Sequence, residues 1–393
     1  MIVHRRDLLL GAGIAAGTAL LPTSLLALAA PNAEMVARSV VSPGDTTRLK
    51  RVFAKAARGE PVTLGFIGGS ITQGSLASEP SRNYASQIAA WWSQRFPNAS
   101  LSVVNAGLAG TGSLLGAFRV GADLLSKAPD LVIVEFSVND ASADADAYEG
   151  LLRQILDHRT APAALLLFMM WEKGGNMQSM QAPIGRHYDL PMISFRDALW
   201  PEMEARRLAW RDVIVDVVHP NDLGHRYAAS FCTNFFEKVL RQQAATRGAF
   251  TLDRLPAPLG SSLYAHVGLM PATDFAPIDR AGWELTRSQI WGPIWAITQS
   301  TARFELDCKA CGIALIVSGR ASTLLERSMV TIDGVAVRPM EAPNFLDRDT
   351  IVLATGLPNS HHSLRLETTD FPSSAFGGSG LRALGLFDDP AAD

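Results

Sequence analysis

The chain has 393 residues, more than one small domain needs, and its length fits two domains. Hydrophobic residues make up 48% and charged residues 19%, so a sizeable core is available and global disorder is excluded. The 35 basic and 38 acidic residues leave a net charge of −3, and no basic run stands out, which argues against a nucleic-acid partner. Three cysteines, Cys232, Cys308 and Cys311, are too few for a disulfide framework or a cysteine-rich zinc fold.

The chain opens on an address. Arg5-Arg6 precedes a run from Leu8 to Ala30 with no charge in it, broken by Pro22 and leaving through Ala27-Leu28-Ala29. Paired arginines, a mild apolar stretch and an A-x-A exit predict a twin-arginine export signal over residues 1–29, with cleavage after Ala29. The expectation is a periplasmic or secreted protein with no stable membrane association after cleavage. The competing reading is an uncleaved anchor, since the stretch is long enough for a ~30 Å hydrocarbon core.

From about Val62 to Leu240, strand-like and helix-like segments alternate. Residues 62–67 form a short apolar run ending in Gly68-Gly69, and residues 82–96 read as a helix. A strand at 101–104 and a helix over 114–127, stopped by Pro129, follow. Residues 131–136 are continuously apolar apart from Glu135, as expected of a strand covered on both faces. A helix over 148–158, strands at 164–170 and 192–194, and a long closing helix over 223–243 complete the series. The pattern predicts a three-layer α/β domain with a parallel sheet, over residues 30–248.

Residues 249–393 read differently. A stretch rich in Pro, Ala, Gly and Ser over 255–280 has the character of a connection. From Trp283 onward come short β-like runs at 313–317, 328–332, 351–354 and 362–366, with Asp333-Gly334 as a hairpin signal after the second. The expectation is a β-sandwich-like accessory domain.

Four pieces of sequence fall at exits of predicted strands, where open α/β sheets place their sites. Gly68-Gly69-Ser70-Ile71-Thr72 offers a serine on a sharp turn, but not the G-x-S-x-G elbow, since Thr72 takes the last place. Asn105-Ala106-Gly107-Leu108-Ala109-Gly110 offers a glycine whose bare N–H can point into a site. Glu135-Phe136-Ser137-Val138-Asn139-Asp140 offers an asparagine amide, or else a helix cap or Asx turn. In Asp216-Val217-Val218-His219, an Asp three residues before a His can fold back onto Nδ1 and leave Nε2 free as a base. Asp222-Leu223-Gly224-His225 repeats that spacing six residues on. His219 is preferred because Pro220-Asn221 holds it in a loop, whereas His225 falls in the first turns of a helix, with a structural role.

In this order and context the pieces resemble the four blocks of the SGNH hydrolase superfamily, the GDSL-type esterases, over about residues 60–243. The resemblance implies a flavodoxin-like hydrolase domain with Ser70 as nucleophile and Asp216 and His219 as the charge-relay pair. It implies an oxyanion hole from Ser70, Gly110 and Asn139, and no metal or organic cofactor. Two departures stand out: Gly69 replaces the usual Asp before the serine, and Ser137 replaces the usual Gly of Gly-x-Asn-Asp. Gly-Gly-Ser-Ile-Thr together with Asn-Ala-Gly and Val-Asn-Asp is similar to a carbohydrate acetylesterase branch.

The functional expectation is therefore an exported serine esterase that takes acyl groups, O-acetyl above all, from a polysaccharide or oligosaccharide. The alternatives are an O-acyltransferase on the same scaffold and a non-catalytic carbohydrate-binding protein. Trp283, Trp291 and Trp295, where the β-rich part begins, are candidates for stacking on sugars or for packing. Cys308 and Cys311 are a candidate local disulfide in an oxidising compartment, with two free thiols as the alternative. Cys232 reads as core, and His361-His362 as a coincidence on a strand rather than a ligand pair.

Overall fold

The computed structural model describes residues 30–243, 254–288, 292–318, 324, 326–337 and 349–389. Residues 1–29, where an export signal is expected, and Trp291 lie outside the described residues.

The chain enters through a short helix, α1 (Ala33–Ser39), whose N-terminus is capped by the Asn32 side chain accepting from the Met35 N–H at 2.8 Å. It leads into β1 (Val40–Ser42) and α2 (Thr47–Ala57), which buries Leu49, Val52, Phe53 and Ala56 on one face. Then come β2 (Val62–Gly68), the single turn α3 (Ser70–Gln73), α4 (Tyr84–Arg95), β3 (Leu101–Gly107) and α5 (Ser113–Asp123). Next are β4 (Leu131–Glu135), α6 (Ala145–Asp157), β5 (Ala163–Phe168) and α7 (Gln178–His187). The domain closes with β6 (Met192–Ser194), α8 (Phe195–Glu204), α9 (Trp210–Val213) and α10 (Asp222–Gln243).

The six strands order as β1-β6-β5-β4-β2-β3, with every pair parallel except β1 against β6. From β2 onward this is the flavodoxin-like order. Side chains alternate strictly between faces. Leu64, Phe66, Leu131, Ile133, Leu165 and Leu167 join a core with α2, α4, α8 and α10. Ile67, Val132, Val134, Leu166 and Phe168 join a second core with α5, α6 and α7. This two-sided burial explains the uninterrupted apolar runs of β4 and β5. The strand–helix alternation seen from Val62 missed α1, β1 and α2, which complete the sheet edge and one helical layer.

Chain direction reverses beside β2. The chain steps from β2 to β3 on one side and then crosses back to β4 on the other. A crevice at such a switch point is where the carboxyl ends of an open sheet hold their site. The exits of β2 and β4 carry Gly68-Gly69-Ser70 and Asn139.

The second domain is an antiparallel sheet ordered β12-β11-β13-β10-β14-β9-β8, with β7 also paired to β14. Its strands are β7 (Val267–Pro271), β8 (Trp283–Ser288), β9 (Gly292–Ile297) and β10 (Ala302–Ser318). The others are β11 (Ser328–Ile332), β12 (Val335–Ala336), β13 (Thr350–Thr368) and β14 (Gly380–Phe387). The Asp333-Gly334 signal is a true hairpin turn, with φ of 52° and 77° at the two positions. The runs at 351–354 and 362–366 belong to one long strand. β7 occupies what the composition suggests is only a connection.

The register of β10 shifts between Ala310 and Gly312. Before the shift Phe304, Leu306, Cys308 and Ala310 face the domain's own core; after it Ile313, Leu315 and Val317 do. The change of parity turns Ala314 toward the first domain. There it meets a shared core in which Phe118 packs edge-on against Phe387 at 5.3 Å, beside Tyr264, Val267 and Val352. The connection is strapped to α6, whose Glu149 carboxylate accepts the N–H groups of Leu259 (2.5 Å) and Gly260 (2.8 Å).

Two readings left open by the sequence are resolved here. Cys308 and Cys311 are free thiols, because Cys308 faces the β-domain core and Cys311 packs on the opposite, shared core. Trp283 and Trp295 are buried around Phe304, and the Trp295 indole donates to the Ala272 carbonyl at 3.0 Å, so neither presents a face to a sugar. Cys232 is buried within α10, and burial pushes its thiol up to about 12. His362 is buried, with Nδ1 at 2.7 Å from Asp333 and Nε2 at 2.8 Å from the Pro358 carbonyl, while His361 points outward.

Candidate active site

The sharp turn after β2 rests on glycines at close approaches. A Cβ on Gly68 would stand 2.1 Å from Thr72 Oγ1 and 2.4 Å from the Glu135 carbonyl. Gly69 precedes α3, whose single turn ends at Gly74, with φ of 101° and its N–H on the Ser70 carbonyl at 3.0 Å. Ser70 is thus held half-buried at the start of a one-turn helix.

The histidine arrives from the other end of the domain. After α9 the chain folds back on itself, with the Val215 N–H on the His219 carbonyl at 2.8 Å. Asp216 sits at the bend, and its Oδ1 accepts the N–H groups of Val218 (2.8 Å) and His219 (2.7 Å). Its Oδ2 lies 2.7 Å from His219 Nδ1. His219 Nε2 lies 2.8 Å from Ser70 Oγ. Burial raises the Asp216 carboxyl, but the hydrogen bonds from the His219 ring and from both N–H groups outweigh it and bring it to about 2. An ionised carboxylate only accepts, so Nδ1 carries the proton and Nε2 is left to accept from the Ser70 hydroxyl. The Trp210 indole steadies the loop from behind, donating to the Asp216 carbonyl at 2.7 Å.

The repeated Asp-x-x-His resolves differently. Asp222 accepts from Ser78 Oγ at 2.7 Å and the Arg82 guanidinium at 2.9 Å, not from His225. His225 is fully buried in α10, and its Nδ1 accepts the Tyr84 N–H at 3.3 Å. Burial pulls its imidazole down to about 4. It ties the chain after α3 to α4 and α10, and it is not the base presented to Ser70.

Asn139 stands in a tight turn, its N–H on the Phe136 carbonyl at 2.9 Å, and its side chain packs directly on Gly69. A Cβ there would meet Asn139 Oδ1 at 2.5 Å and Nδ2 at 2.8 Å. The Gly69 departure is thereby explained: the space an aspartate would take is filled by the amide. Gly110 lies on a loop anchored to the same turn by the Leu108 N–H on the Gly68 carbonyl (3.0 Å) and the Ala109 N–H on Gln73 Oε1 (3.2 Å). With φ of 72° and nothing within 4 Å of its missing Cβ, it faces open space. The structure thus brings Ser70, His219 and Asp216 into one hydrogen-bonded line, sets Asn139 beside it, and pins the loop of Gly110 to it.

Three supporting residues escaped assignment from sequence. Asp140 accepts the Ser113 N–H at the start of α5 and the Gln181 side chain, both at 2.7 Å. Buried Arg119 donates to the carbonyls of Ala106 (2.6 Å) and Gly68 (3.1 Å), joining the ends of β3 and β2. Glu135 is enclosed at the end of β4. The available signal was a charge inside an apolar run, Arg119 in Ala-Phe-Arg-Val and Glu135 in Ile-Val-Glu-Phe. Among the described residues no group of three or more His, Cys, Asp or Glu side chains is placed to hold a metal ion.

A hydroxyl, an imidazole and a carboxylate in line at the switch point of a parallel sheet define the serine-hydrolase class. The chain belongs to the GDSL-like lipase/acylhydrolase family, whose model matches residues 66–227. No curated protein matches it. It is similar to the crystal structure of a two-domain esterase active on acetylated mannans, with 31% identity and a TM-score of 0.79 over 90% of this chain and 98% of that one. The structure of that kind of esterase co-crystallised with mannopentaose gives 31% identity and 0.78 over 91% and 99%. The likeness extends through the β-rich domain.

Proposed function

We propose that this chain is an exported serine esterase that hydrolyses O-acetyl groups on a polysaccharide or oligosaccharide, with an acetylated mannan as the first substrate to test. The observation that carries the reading is the 2.8 Å contact of His219 Nε2 with Ser70 Oγ, with Asp216 on Nδ1. His219 takes the Ser70 proton as Oγ attacks the ester carbonyl. The N–H groups of Ser70 and Gly110 and the amide of Asn139 receive the oxyanion. The sugar alkoxide departs with the proton from His219, leaving acetyl on Ser70. Water, deprotonated by the same base, releases acetate and restores Ser70. Asp216 orients the ring and stabilises the imidazolium each time it forms.

The identity to a mannan esterase along both domains supports the substrate class, and Arg5-Arg6 with the run to Ala29 supports export. The test is acetate release from acetylated mannan by wild type and Ser70→Ala. Wild type should release acetate and the folded variant almost none. A Ser70→Ala protein with wild-type turnover refutes the assignment, and acetyl appearing on an added sugar acceptor instead of in solution refutes hydrolysis in favour of acyl transfer.

A further inference from the structure

Glu135 is the last residue of β4, and its carboxyl is wholly enclosed. Its Oε2 lies 3.2 Å from Thr72 Oγ1, which in turn lies 2.8 Å from the Tyr84 hydroxyl. Oε1 has no hydrogen-bond partner among the described residues. The side chain therefore sits where two loops join. Two residues before Thr72 is Ser70, and four residues after Glu135 is Asn139. The Glu135 carbonyl itself closes on Gly68.

The groups facing this carboxyl are not cations. Tyr84 from α4 and Tyr148 from α6 lie close enough that an ionised Glu135 would raise their hydroxyls, and Asp140, on the loop after β4, raises Tyr148 as well. The nearby guanidinium of Arg119 is turned to the Gly68 and Ala106 carbonyls. A carboxylate here would exchange its hydration for one hydroxyl, which is a poor bargain for a charge. Burial pushes the acid up to about 8 against the weaker opposing pull of Thr72.

We propose that Glu135 is a positioning residue, carried as the neutral acid, whose contact with Thr72 fixes the turn that presents Ser70 against the loop that presents Asn139. It touches no substrate and transfers no proton in the reaction. The inference rests on the catalytic reading of Ser70. Ionisation of Glu135 places an unpaired charge beneath that turn, so turnover declines on the alkaline side without loss of substrate binding.

The experiment compares kcat and KM for p-nitrophenyl acetate from about pH 6 to about pH 10 in wild type, Glu135→Gln and Thr72→Val. Glutamine keeps the shape and an acceptor for Thr72 but cannot ionise. Wild type should show an alkaline fall in kcat with an apparent pKa near 8. Glu135→Gln should keep most of the neutral-pH kcat and lack that fall. Thr72→Val should lower kcat at every pH and leave KM near wild type. An alkaline limb in Glu135→Gln that superimposes on wild type overturns the proposal, because a purely structural role would shift stability and not this limb. Should Glu135→Gln fail to fold, infrared difference spectra of wild type decide. A protonated carboxylic acid signal that disappears with the same midpoint as kcat supports the proposal, and its absence at neutral pH overturns it. Ser70→Ala assayed alongside separates the two readings. If it stays active the catalytic assignment fails, and if it is dead while Glu135→Gln behaves as wild type only the present inference fails.

Discussion

Gly69→Ala adds one carbon and tests the coupling between two loops. The new Cβ would lie 2.5 Å from Asn139 Oδ1, where ordinary contacts begin at 3.4 Å, so the amide must retreat by about 0.9 Å. Gly69 has φ of −87°, so alanine meets no left-handed strain, and the damage falls on Asn139 rather than on the fold. A misplacement of ~1 Å costs on the order of 10²-fold, and outright loss of an oxyanion donor roughly 10²–10³-fold. Gly69→Ala should therefore lower kcat by about 10²-fold, near 3 kcal/mol of transition-state stabilisation, with KM little changed. Asn139→Ala should lose a similar amount. The double variant should be no worse than the poorer single one, because both remove the same contribution. The assay is steady-state hydrolysis of p-nitrophenyl acetate, with circular dichroism to check folding. Wild-type kcat in Gly69→Ala, or losses that multiply to roughly 10⁴ in the double variant, would refute the account of Asn139.

Two further outcomes follow. His219→Ala should abolish turnover and leave the unfolding midpoint near wild type, whereas His225→Ala, emptying a fully buried site, should lower the midpoint while substantial activity remains in the folded fraction. A dead but fully stable His225→Ala would reverse the assignment. The raised Glu135 acid also links stability to pH. Between the ordinary carboxyl value of 4.5 and about 8, the folded state holds a proton that the unfolded state has lost, so stability falls as pH rises through that window and levels off above it. The gap in unfolding midpoint between Glu135→Gln and wild type should widen across that range, and a constant gap would count against a neutral buried acid.

Much of this molecule was legible along the chain. The parallel sheet could be read because β4 and β5 are apolar on both faces, and the hairpin at Asp333-Gly334 because a two-residue turn with positive φ restricts its residues. Ser70, Asn139, Asp216 and His219 could be chosen because each stands at a strand exit or in a short loop with a recognisable neighbour. The early elements α1, β1 and α2 were not legible, since a three-residue strand makes sense only beside β6. Nor was β7, whose Pro and Gly hide a strand paired with β14. The choice between a disulfide and two free thiols at Cys308 and Cys311 stayed open in the sequence for a related reason. Spacing in sequence says nothing of which face of a bulged strand each thiol occupies.

The order of polar and apolar residues was enough by itself to set the layers, the two domains and the chemical types at the site, because periodicity and turn chemistry are local. Which histidine meets the serine, why glycine stands before it, and that a buried acid lies beneath it were decided only when loops 149 residues apart were brought within 2.8 Å. Those choices depend on packing and on excluding water, and no local pattern contains them.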